Sequence, residues 1–156
     1  DRIPEPGDVL IIDTGTVFDG YFCDFDRNFG FGQIADDTHH ANAAVHQALD
    51  AGFVAARPGA RMCEVWAAMW QVLEDHGALG NSIGRMGHGL GMLLTEWPSI
   101  HPDDQNLLEP GAVITLEPGM IFAPGRQLVH EENIVITESG AEYLTRRAPP
   151  EIPVIR

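Results

Sequence analysis

Acidic side chains and one histidine stand at the ends of apolar segments, where packing alone gives them no role. They are Asp13, Asp24, Asp26, His88, Glu117, Glu131 and Glu132. Together they offer carboxylate oxygens and one imidazole. This hard set of ligands suits Mn, Co, Fe or Zn in a paired site, whereas a structural zinc site would favour thiolates. The chemistry that the sequence first indicates is therefore the binding of divalent cations.

The three aspartates lie in a segment that is predicted to be a β-hairpin. Asp19-Gly20 separates two apolar runs, and this dipeptide is a strong hairpin signal because both turn residues must adopt positive φ. A two-residue turn there places Asp13 opposite Asp26 and makes Asp24 a diagonal neighbour of Asp13 on the same face. A solvated acidic face and a cation site both fit this pattern. The apolar residues around the aspartates favour a cation, since carboxylates near apolar surroundings need a counter-charge.

The histidine and the remaining acids share a similar setting. His88 lies between Gly87 and Gly89. A lone histidine is more often a core or surface residue than a ligand, but glycines on both sides let the backbone approach another group closely. Glu117 ends an apolar strand, and the pair Glu131–Glu132 begins another. Acids at the ends of buried strands are well placed to direct oxygens into one shared site.

Strands and two helices are predicted around these residues. The elements, in order, are a buried strand over Val9–Ile12 that ends near Asp13, the hairpin around Asp19-Gly20, a helix with its N-cap among Asp36–Thr38, a helix over Met62–His76 that Gly77 ends, and strands over Ala112–Leu116 and Ile134–Ile136. On the helices, His39, His40 and His46 are predicted to lie at the surface, and Trp66, Met69 and Trp70 to pack in the core. The order of strands, two helices and then strands indicates an α+β fold.

Composition excludes several classes of protein. The chain has 156 residues, with 23 Asp and Glu against 9 basic residues and a net charge of −14, so nucleic acid is excluded as a partner. Its 44% hydrophobic content argues against disorder. No apolar run reaches the length of about 18 residues that a membrane span needs. Cys23 and Cys63 cannot build a disulfide framework, which predicts a cytoplasmic protein.

Five short motifs occur in an order that is similar to one known family. They are Ile12-Asp13-x-Gly15, Gly20-Tyr21-x-x-Asp24, Gly87-His88-Gly89-Leu90-Gly91, Leu116-Glu117-Pro118-Gly119 and Glu131-Glu132-Asn133. The set resembles the pita-bread metallohydrolases, which include methionine aminopeptidase, aminopeptidase P, prolidase and creatinase-like enzymes. The resemblance implies a curved antiparallel sheet with flanking helices. It also implies that residues 1–156 are one partial catalytic domain, from which an N-terminal domain and the first part of the catalytic domain are absent, and that the full-length protein is a homodimer.

The resemblance also implies roles for individual residues around two divalent cations. Asp13 would bind one cation, Asp24 would bridge both, and His88 and Glu117 would bind the second. Glu131 would be the other bridging carboxylate, because the family's acid lies six residues before a strand-ending threonine, here Thr137. The neighbouring Glu132 would support the ligands. Together with His88, Glu117 would act in catalysis, as the acid and base for hydrolysis of a C–N bond.

Three positions depart from the family's pattern. Thr95 stands seven residues after the ligand histidine, where the peptidases carry a second histidine. Val129 replaces an arginine that is common in proline-specific members, and Asp26 replaces a threonine. A threonine hydroxyl cannot replace an imidazole as a proton donor near pH 7. The substrate is therefore expected to contact an altered set of residues, for which the candidates are Asp26, Thr95, Glu96, Trp97, His130 and Glu132.

Three functions remain open at this point. The first is a peptidase of Xaa-Pro or N-terminal bonds, acting on small peptides. The second is a creatinase-like or ectoine hydrolase-like enzyme that opens a small cyclic amidine or amide, which the segment Thr95-Glu96-Trp97-Pro98 favours. The third is a pita-bread protein that has lost catalysis and binds a partner. This last function predicts eroded ligands, whereas all of the expected ligand types are present.

Overall fold

The computed structural model describes residues 2–81 and 84–155. Its elements, in chain order, are β1 Val9–Phe18, β2 Tyr21–Phe31, α1 Asp36–Ala55, α2 Met62–Asp75, β3 His88–Gly89, β4 Glu96–Ser99, β5 Val113–Leu116, β6 Gly119–Ala123, β7 Arg126–Val129, β8 Glu132–Thr137, β9 Gly140–Tyr143 and β10 Val154–Ile155. Within the described residues, the strands form sheets of order β1-β2-β10, β4-β3-β5-β8-β9 and β6-β7. The pairs are antiparallel except β2 and β10. This is the predicted α+β arrangement.

The first hairpin has the predicted register. Phe18 pairs with Tyr21 across the two-residue turn, and Asp13 pairs with Asp26. Both turn residues adopt positive φ, 50° at Asp19 and 86° at Gly20, as this kind of tight turn requires. The turn therefore sets which aspartates share a face.

The burial of β1 differs from the prediction of a buried strand that ends near Asp13. The strand continues to Phe18, and only Val9 and Ile11, near its start, pack on the core, whereas residues 12–18 are exposed. The alternate residue Leu10 is 43% exposed and Phe18 is 79% exposed. The physical reason is position: among the described strands β1 is at the edge of its sheet and pairs with β2 alone, so few neighbours cover it.

The two helices begin and end close to the predicted residues. The N-cap of α1 is Ala35, not one of residues 36–38, and it makes no side-chain capping bond. Asp36 and Asp37 instead lie in the first turn, where their charge is favourable to the helix dipole. At the start of α2 the Glu64 carboxylate accepts a hydrogen bond from the backbone N–H of Arg61 at 2.9 Å. Gly77 follows the end of α2 with φ of 79°, as predicted.

The hydrophobic core lies between the helix pair and the strands. Its fully buried members include Leu49 of α1, Met69 and Leu73 of α2, Leu116 of β5 and Ile134 of β8. The predicted core residues of α2 accordingly pack as expected, with Trp66 and Trp70 stacked at the edge of the core. No helix in the described ranges is long and apolar enough to cross a membrane.

Candidate metal centre

The candidate ligands come from separate strands that converge at one place. Asp13 lies on β1, and Asp24 and Asp26 lie on β2. His88 begins β3, and Glu131 directly precedes β8. The hairpin is tied to this second sheet through its backbone, because Asp26 N–H donates to the Glu131 carbonyl oxygen at 3.4 Å. The fold therefore brings together residues from both halves of the sequence.

Two groups of ligand atoms share one carboxylate. In the first group, one atom each from Asp24, His88 and Glu131 lies within 4.8 Å of the others, and in the second the same holds for Asp13, Asp26 and Glu131. His88 Nε2 is 3.7 Å from Asp24 Oδ2 and 3.9 Å from Glu131 Oε1. Because Glu131 belongs to both groups, the arrangement suits a pair of neighbouring cations with a bridging carboxylate.

The imidazole of His88 is oriented for ligation. The backbone N–H of His88 donates to the Thr115 hydroxyl at 3.2 Å, and Nδ1 of the ring is 2.9 Å from the Gly89 carbonyl oxygen. Nδ1–H therefore donates to that carbonyl, and the lone pair of Nε2 faces the acids. Burial lowers the pKa of His88, which keeps the ring neutral as a metal ligand must be. Gly87 permits this approach, since its φ is 134° and a Cβ there would collide with the Thr115 carbonyl oxygen.

The acids repel one another in a poorly solvated place. Burial, and then the charge of Asp13, raises the pKa of Asp24 to about 6 and that of Asp26 to about 7. Burial, and then the charge of Glu117, raises the pKa of Glu131 to about 9. Burial also raises the pKa of Glu117 to about 7, although Arg85 lowers it. A nearby positive charge would therefore favour full ionisation of these groups at neutral pH, above all of Glu131.

Buried carboxylate oxygens without hydrogen-bond partners also indicate that a cation binds at this centre. Oδ1 of Asp26, Oε2 of Glu117 and Oε1 of Glu131 are buried and make no hydrogen bond within the described structure. A buried carboxylate oxygen without a donor is costly, and a divalent cation is a common way to satisfy it. The donor set is rich in oxygen and contains one imidazole, so the residues present fit divalent transition metals.

Comparison with known proteins identifies the family. The sequence model of metallopeptidase family M24 matches residues 1–138. The chain belongs to family M24. It is 31% identical over 146 residues to the Xaa-Pro dipeptidase of Pyrococcus furiosus, an alignment that covers 94% of the chain and 42% of that enzyme. It is 32% identical over 156 residues to the probable dipeptidase PepE of Mycobacterium tuberculosis, covering 99% of the chain and 41% of that protein.

Solved structures of M24 proteins share the fold. The X-Pro aminopeptidase of Thermotoga maritima superposes with a TM-score of 0.91 at 28% identity, over 99% of the chain and 44% of that structure. A dipeptidase of Pyrococcus horikoshii gives a TM-score of 0.92 at 31% identity, over 99% of the chain and 43% of that structure. The predicted family and pita-bread fold are thus confirmed. The chain spans less than half the length of these relatives.

The five predicted ligands of this M24 chain are not all equally close to one another. Asp13, Asp24, His88 and Glu131 fall in the two groups of ligand atoms. Glu117 falls in neither group, but it lies near enough for its charge to raise the pKa of Glu131. Asp13 is exposed and lines a cleft of about 430 Å³ together with Asp24 and Leu94. The centre is therefore buried on one side and open to solvent on the other.

The two neighbouring glutamates have different surroundings. Glu132 lies 3.3 Å from Arg27 in an ion pair, accepts a hydrogen bond from the Thr145 hydroxyl and accepts another from the backbone N–H of Ala148 at 2.7 Å. Its oxygens are therefore engaged away from the metal groups, whereas Oε1 of Glu131 is free to accept a cation. Glu131 as the bridging ligand and Glu132 as a supporting residue stay predictions.

His130 is not brought to the acids, although it is a predicted substrate-contacting residue. Its Nε2 lies 2.9 Å from Asn42 Oδ1 on α1 and 3.2 Å from Asn28 Nδ2 on β2. Its ring also packs on that of His46, which is half-buried on α1, at 4.0 Å between centroids. Burial, and then His46, lowers the pKa of His130 to about 3. His130 points towards α1 and Glu131 towards the other acids, because consecutive residues of an extended segment point in opposite directions.

The segment after His88 folds back on itself. The Glu96 carboxylate accepts a hydrogen bond from Leu93 N–H at 2.8 Å, which shapes the loop that contains the exposed Thr95. Trp97 is 72% exposed and lines a different cleft from the one beside Asp13. Thr95, Glu96 and Trp97 are thus outside the groups of metal-ligand atoms that the described residues form.

Two residues of the centre are not among the predicted site residues. Asn133 hydrogen-bonds the backbone of Asp24 through its side-chain amide. Arg85 lies near enough for its charge to lower the pKa of Asp24 and Glu117. Their signal in the sequence is position, since Asn133 directly follows the acid pair and Arg85 lies three residues before His88.

Proposed function

We propose that this chain belongs to a metal-dependent hydrolase that cleaves the C–N bond of small peptides, with Xaa-Pro dipeptides as the substrate class. The observation that carries the proposal is the pair of ligand groups that share Glu131. The relative from Pyrococcus furiosus is named an Xaa-Pro dipeptidase, which supports the choice of substrate.

Two divalent cations would be held by Asp13, Asp24, His88, Glu117 and Glu131. When bound, such a pair polarises a carbonyl oxygen and lowers the pKa of water to near neutrality. The chain itself supplies the ligands, the neutral imidazole of His88 and a pocket wall. Asp26, in the second ligand group and buried, adds negative charge beside Asp13 and Glu131.

Glu117 is the candidate acid and base. Its pKa of about 7 allows it to take up or release a proton near neutral pH, and its buried Oε2 makes no hydrogen bond with the described residues. In the proposed reaction Glu117 accepts the proton of the attacking water and then delivers it to the nitrogen of the leaving group. The cleft beside Asp13 and Leu94 would admit the peptide from the open side.

A second candidate function is hydrolysis of a small cyclic amidine or amide, as in creatinase-like or ectoine hydrolase-like enzymes. It is favoured by Thr95, because a threonine in an exposed loop offers no imidazole to hold a peptide substrate or its tetrahedral intermediate. The two functions share one metal centre and differ in the substrate.

A direct test uses the full-length protein, loaded with Mn²⁺ or treated with a chelator, on four substrates: an Xaa-Pro dipeptide, a longer peptide with proline second, creatine and ectoine. We expect cleavage of the dipeptide with metal and none with chelator. Glu131→Gln is expected to abolish activity, while the exposed Glu138→Gln serves as a matched control with unchanged activity. Activity confined to creatine or ectoine would replace the peptidase by the second function. A protein inert on every substrate, with or without metal, would indicate a binding module.

A further inference from the structure

Two histidines form a close pair where the end of α2 meets α1. His40 is an exposed residue in the second turn of α1, and the half-buried His76 is the C-cap of α2. His40 Nε2 lies 3.4 Å from His76 Nδ1, and the ring centroids are 5.0 Å apart. In the described part of the chain, neither residue belongs to the groups of ligand atoms around Glu131. The pair is therefore a separate feature that the proposed hydrolysis does not use.

The tautomer of His76 directs a lone pair towards His40. His76 Nε2 lies 3.1 Å from Gln47 Oε1, and an amide oxygen only accepts hydrogen bonds, so Nε2 carries the proton. Nδ1 of the neutral ring is then unprotonated and faces His40 Nε2. Histidines that bind a metal through one ring nitrogen usually donate a hydrogen bond from the other. Gln47 therefore holds His76 in the tautomer that ligation through Nδ1 requires.

The distance between the two facing nitrogens fits a bound metal better than a hydrogen bond. Hydrogen bonds from N–H groups are about 2.7–3.2 Å long, and the separation of His40 Nε2 from His76 Nδ1 is 3.4 Å. Two imidazole nitrogens at about 2.0–2.1 Å from a tetrahedral zinc ion are about 3.3–3.4 Å apart. A cation can therefore be bound by both rings without movement of either helix.

The packed helices fix the positions of both ligands. His40 and Gln47 are seven residues apart, so they lie on the same face of α1 at a spacing of two turns. The chain beyond His76 is held back on α2, because Ala78 N–H donates to the Leu73 carbonyl oxygen at 2.9 Å and Leu73 is fully buried. A cation bound by the two rings would join the end of α2 to α1.

The electrostatic surroundings favour a cation at this place. The carbonyl groups at the C-terminus of a helix give it a partial negative charge, which attracts positive ions to the end of α2. Glu74 and Asp75, both exposed, directly precede His76 and add negative charge. Affinity of nitrogen ligands for divalent metals rises from Mn²⁺ to Ni²⁺ and Cu²⁺, with Zn²⁺ also above Mn²⁺. Two imidazoles therefore select Zn²⁺, Ni²⁺ or Cu²⁺ over Mn²⁺.

We propose that His40 Nε2 and His76 Nδ1 bind a divalent transition metal of this class, represented by Zn²⁺, and that water completes its coordination. The site differs from the candidate metal centre in its ligands, which are imidazoles instead of carboxylates. Because the two nitrogens are brought together only by the folded helix pair, the bound ion stabilises the folded state. The inference does not depend on the proposed hydrolase function.

Calorimetric titration of the full-length, Mn²⁺-loaded protein with Zn²⁺ tests the site. Wild type is expected to bind one more Zn²⁺ per chain than His40→Gln or His76→Gln, and Gln47→Ala is expected to weaken this binding about 10-fold. Exchange of Mn²⁺ for Zn²⁺ at the carboxylate-rich centre is common to all of these proteins and cancels in the comparison. The matched control is His39→Gln, at the neighbouring exposed position of α1, which should keep the additional site. Equal stoichiometry in wild type and His40→Gln, or loss of the site in His39→Gln, would overturn the proposal.

Measurements on the wild-type protein identify the ligand atoms directly. In nitrogen-15 spectra of the histidine rings, Zn²⁺ is expected to shift His40 Nε2 and His76 Nδ1 and to leave the ring of His39 unchanged. At about 100 times its Kd, Zn²⁺ should raise the Tm of wild type about 3–5 °C more than that of His40→Gln. Shifts confined to other histidines would show adventitious binding only and would overturn the site, even if the variants do not fold. An equal rise of Tm in wild type and His40→Gln would also overturn it.

Discussion

The side-chain amide of Asn133 pairs with the backbone of Asp24 in the way that a neighbouring strand would. Its Oδ1 accepts a hydrogen bond from Asp24 N–H at 3.0 Å, and its Nδ2 donates to the Asp24 carbonyl oxygen. Asp24 lies on the hairpin and Asn133 on β8, so this pair joins the two parts of the fold that supply the metal ligands. The distance between Asp24 and Glu131 is thereby set by a residue that need not touch a cation.

Asn133→Ala is therefore expected to weaken metal binding without removing a ligand. Loss of both hydrogen bonds leaves the backbone of Asp24 unsatisfied, which costs about 1–3 kcal/mol of unfolding free energy. Misplaced ligands should lower metal affinity about 10- to 100-fold. Urea unfolding and titration with buffered Mn²⁺ measure the two effects. The control is Gln71→Ala, which removes an exposed side-chain hydrogen bond on α2; an affinity of Asn133→Ala equal to that of the control would contradict the positioning role.

Glu131→Gln is expected to change the melting temperature in opposite directions with and without metal. Its pKa of about 9 in the folded, metal-free protein is above the ordinary value of about 4, so the folded state binds the extra proton between these pH values. This stabilisation is complete below pH about 4 and is lost as pH rises toward 9. At pH 8 in chelator, the glutamine variant should accordingly melt about 10 °C or more above wild type. With Mn²⁺ it should melt lower, because the bridging ligand is gone; calorimetric scans from pH 5 to 9 test both signs.

The buried histidine pair predicts a loss of stability in acid. The pKa of His130 is lowered to about 3 by burial and by His46, so the folded state disfavours the proton that the unfolded chain takes up below pH about 6.5. Stability from this group is lost as pH falls from about 6.5 toward 3, which amounts to about 2 kcal/mol at pH 5. His130→Gln should remove this pH dependence, whereas His39→Gln, at an exposed position of α1, should keep it. Identical pH profiles of unfolding for all three proteins would contradict the role of the pair.

Gly87→Ala should destabilise the protein more than an ordinary glycine substitution. A Cβ at Gly87 would meet the Thr115 carbonyl, and its φ of 134° is unfavourable for alanine. We expect a loss of about 3 kcal/mol or more, together with weaker metal binding because His88 is displaced. Gly59→Ala is the matched control, since φ there is 79° but no atom lies within 4 Å of the added Cβ, so only about 1 kcal/mol should be lost. Equal losses in the two variants would show that the close approach at Thr115 is unimportant.

Thr95→His should raise kcat for Xaa-Pro dipeptides about 10- to 100-fold, since an imidazole in that loop can donate a hydrogen bond to the oxygen of the tetrahedral intermediate. The loop is exposed, so the substitution should fold. Steady-state kinetics on Ala-Pro give the answer, with Thr95→Asn as a control that adds size without a titrating ring. An unchanged kcat in Thr95→His would show that a side chain at this position does not stabilise the intermediate.

Local rules predict the hairpin and α2 because their determinants are close in sequence. A two-residue turn fixes the pairing of Asp13 with Asp26, and Gly77 directly follows the helix that it ends. The half-exposure of β1 could not be predicted in this way, because the number of neighbours beside a strand depends on distant segments. The same holds for His130: its partners Asn28 and Asn42 are 102 and 88 residues away, and no short motif links them.

The edge position of β1 has a consequence for handling the chain in solution. The outer side of β1 carries backbone N–H and C=O groups that pair with no other described strand, beside the exposed side chains of Leu10, Ile12 and Phe18. A long apolar strand edge is a template for strand addition from a second molecule. At high concentration the isolated chain should therefore self-associate through β1, and Leu10→Lys should reduce this self-association.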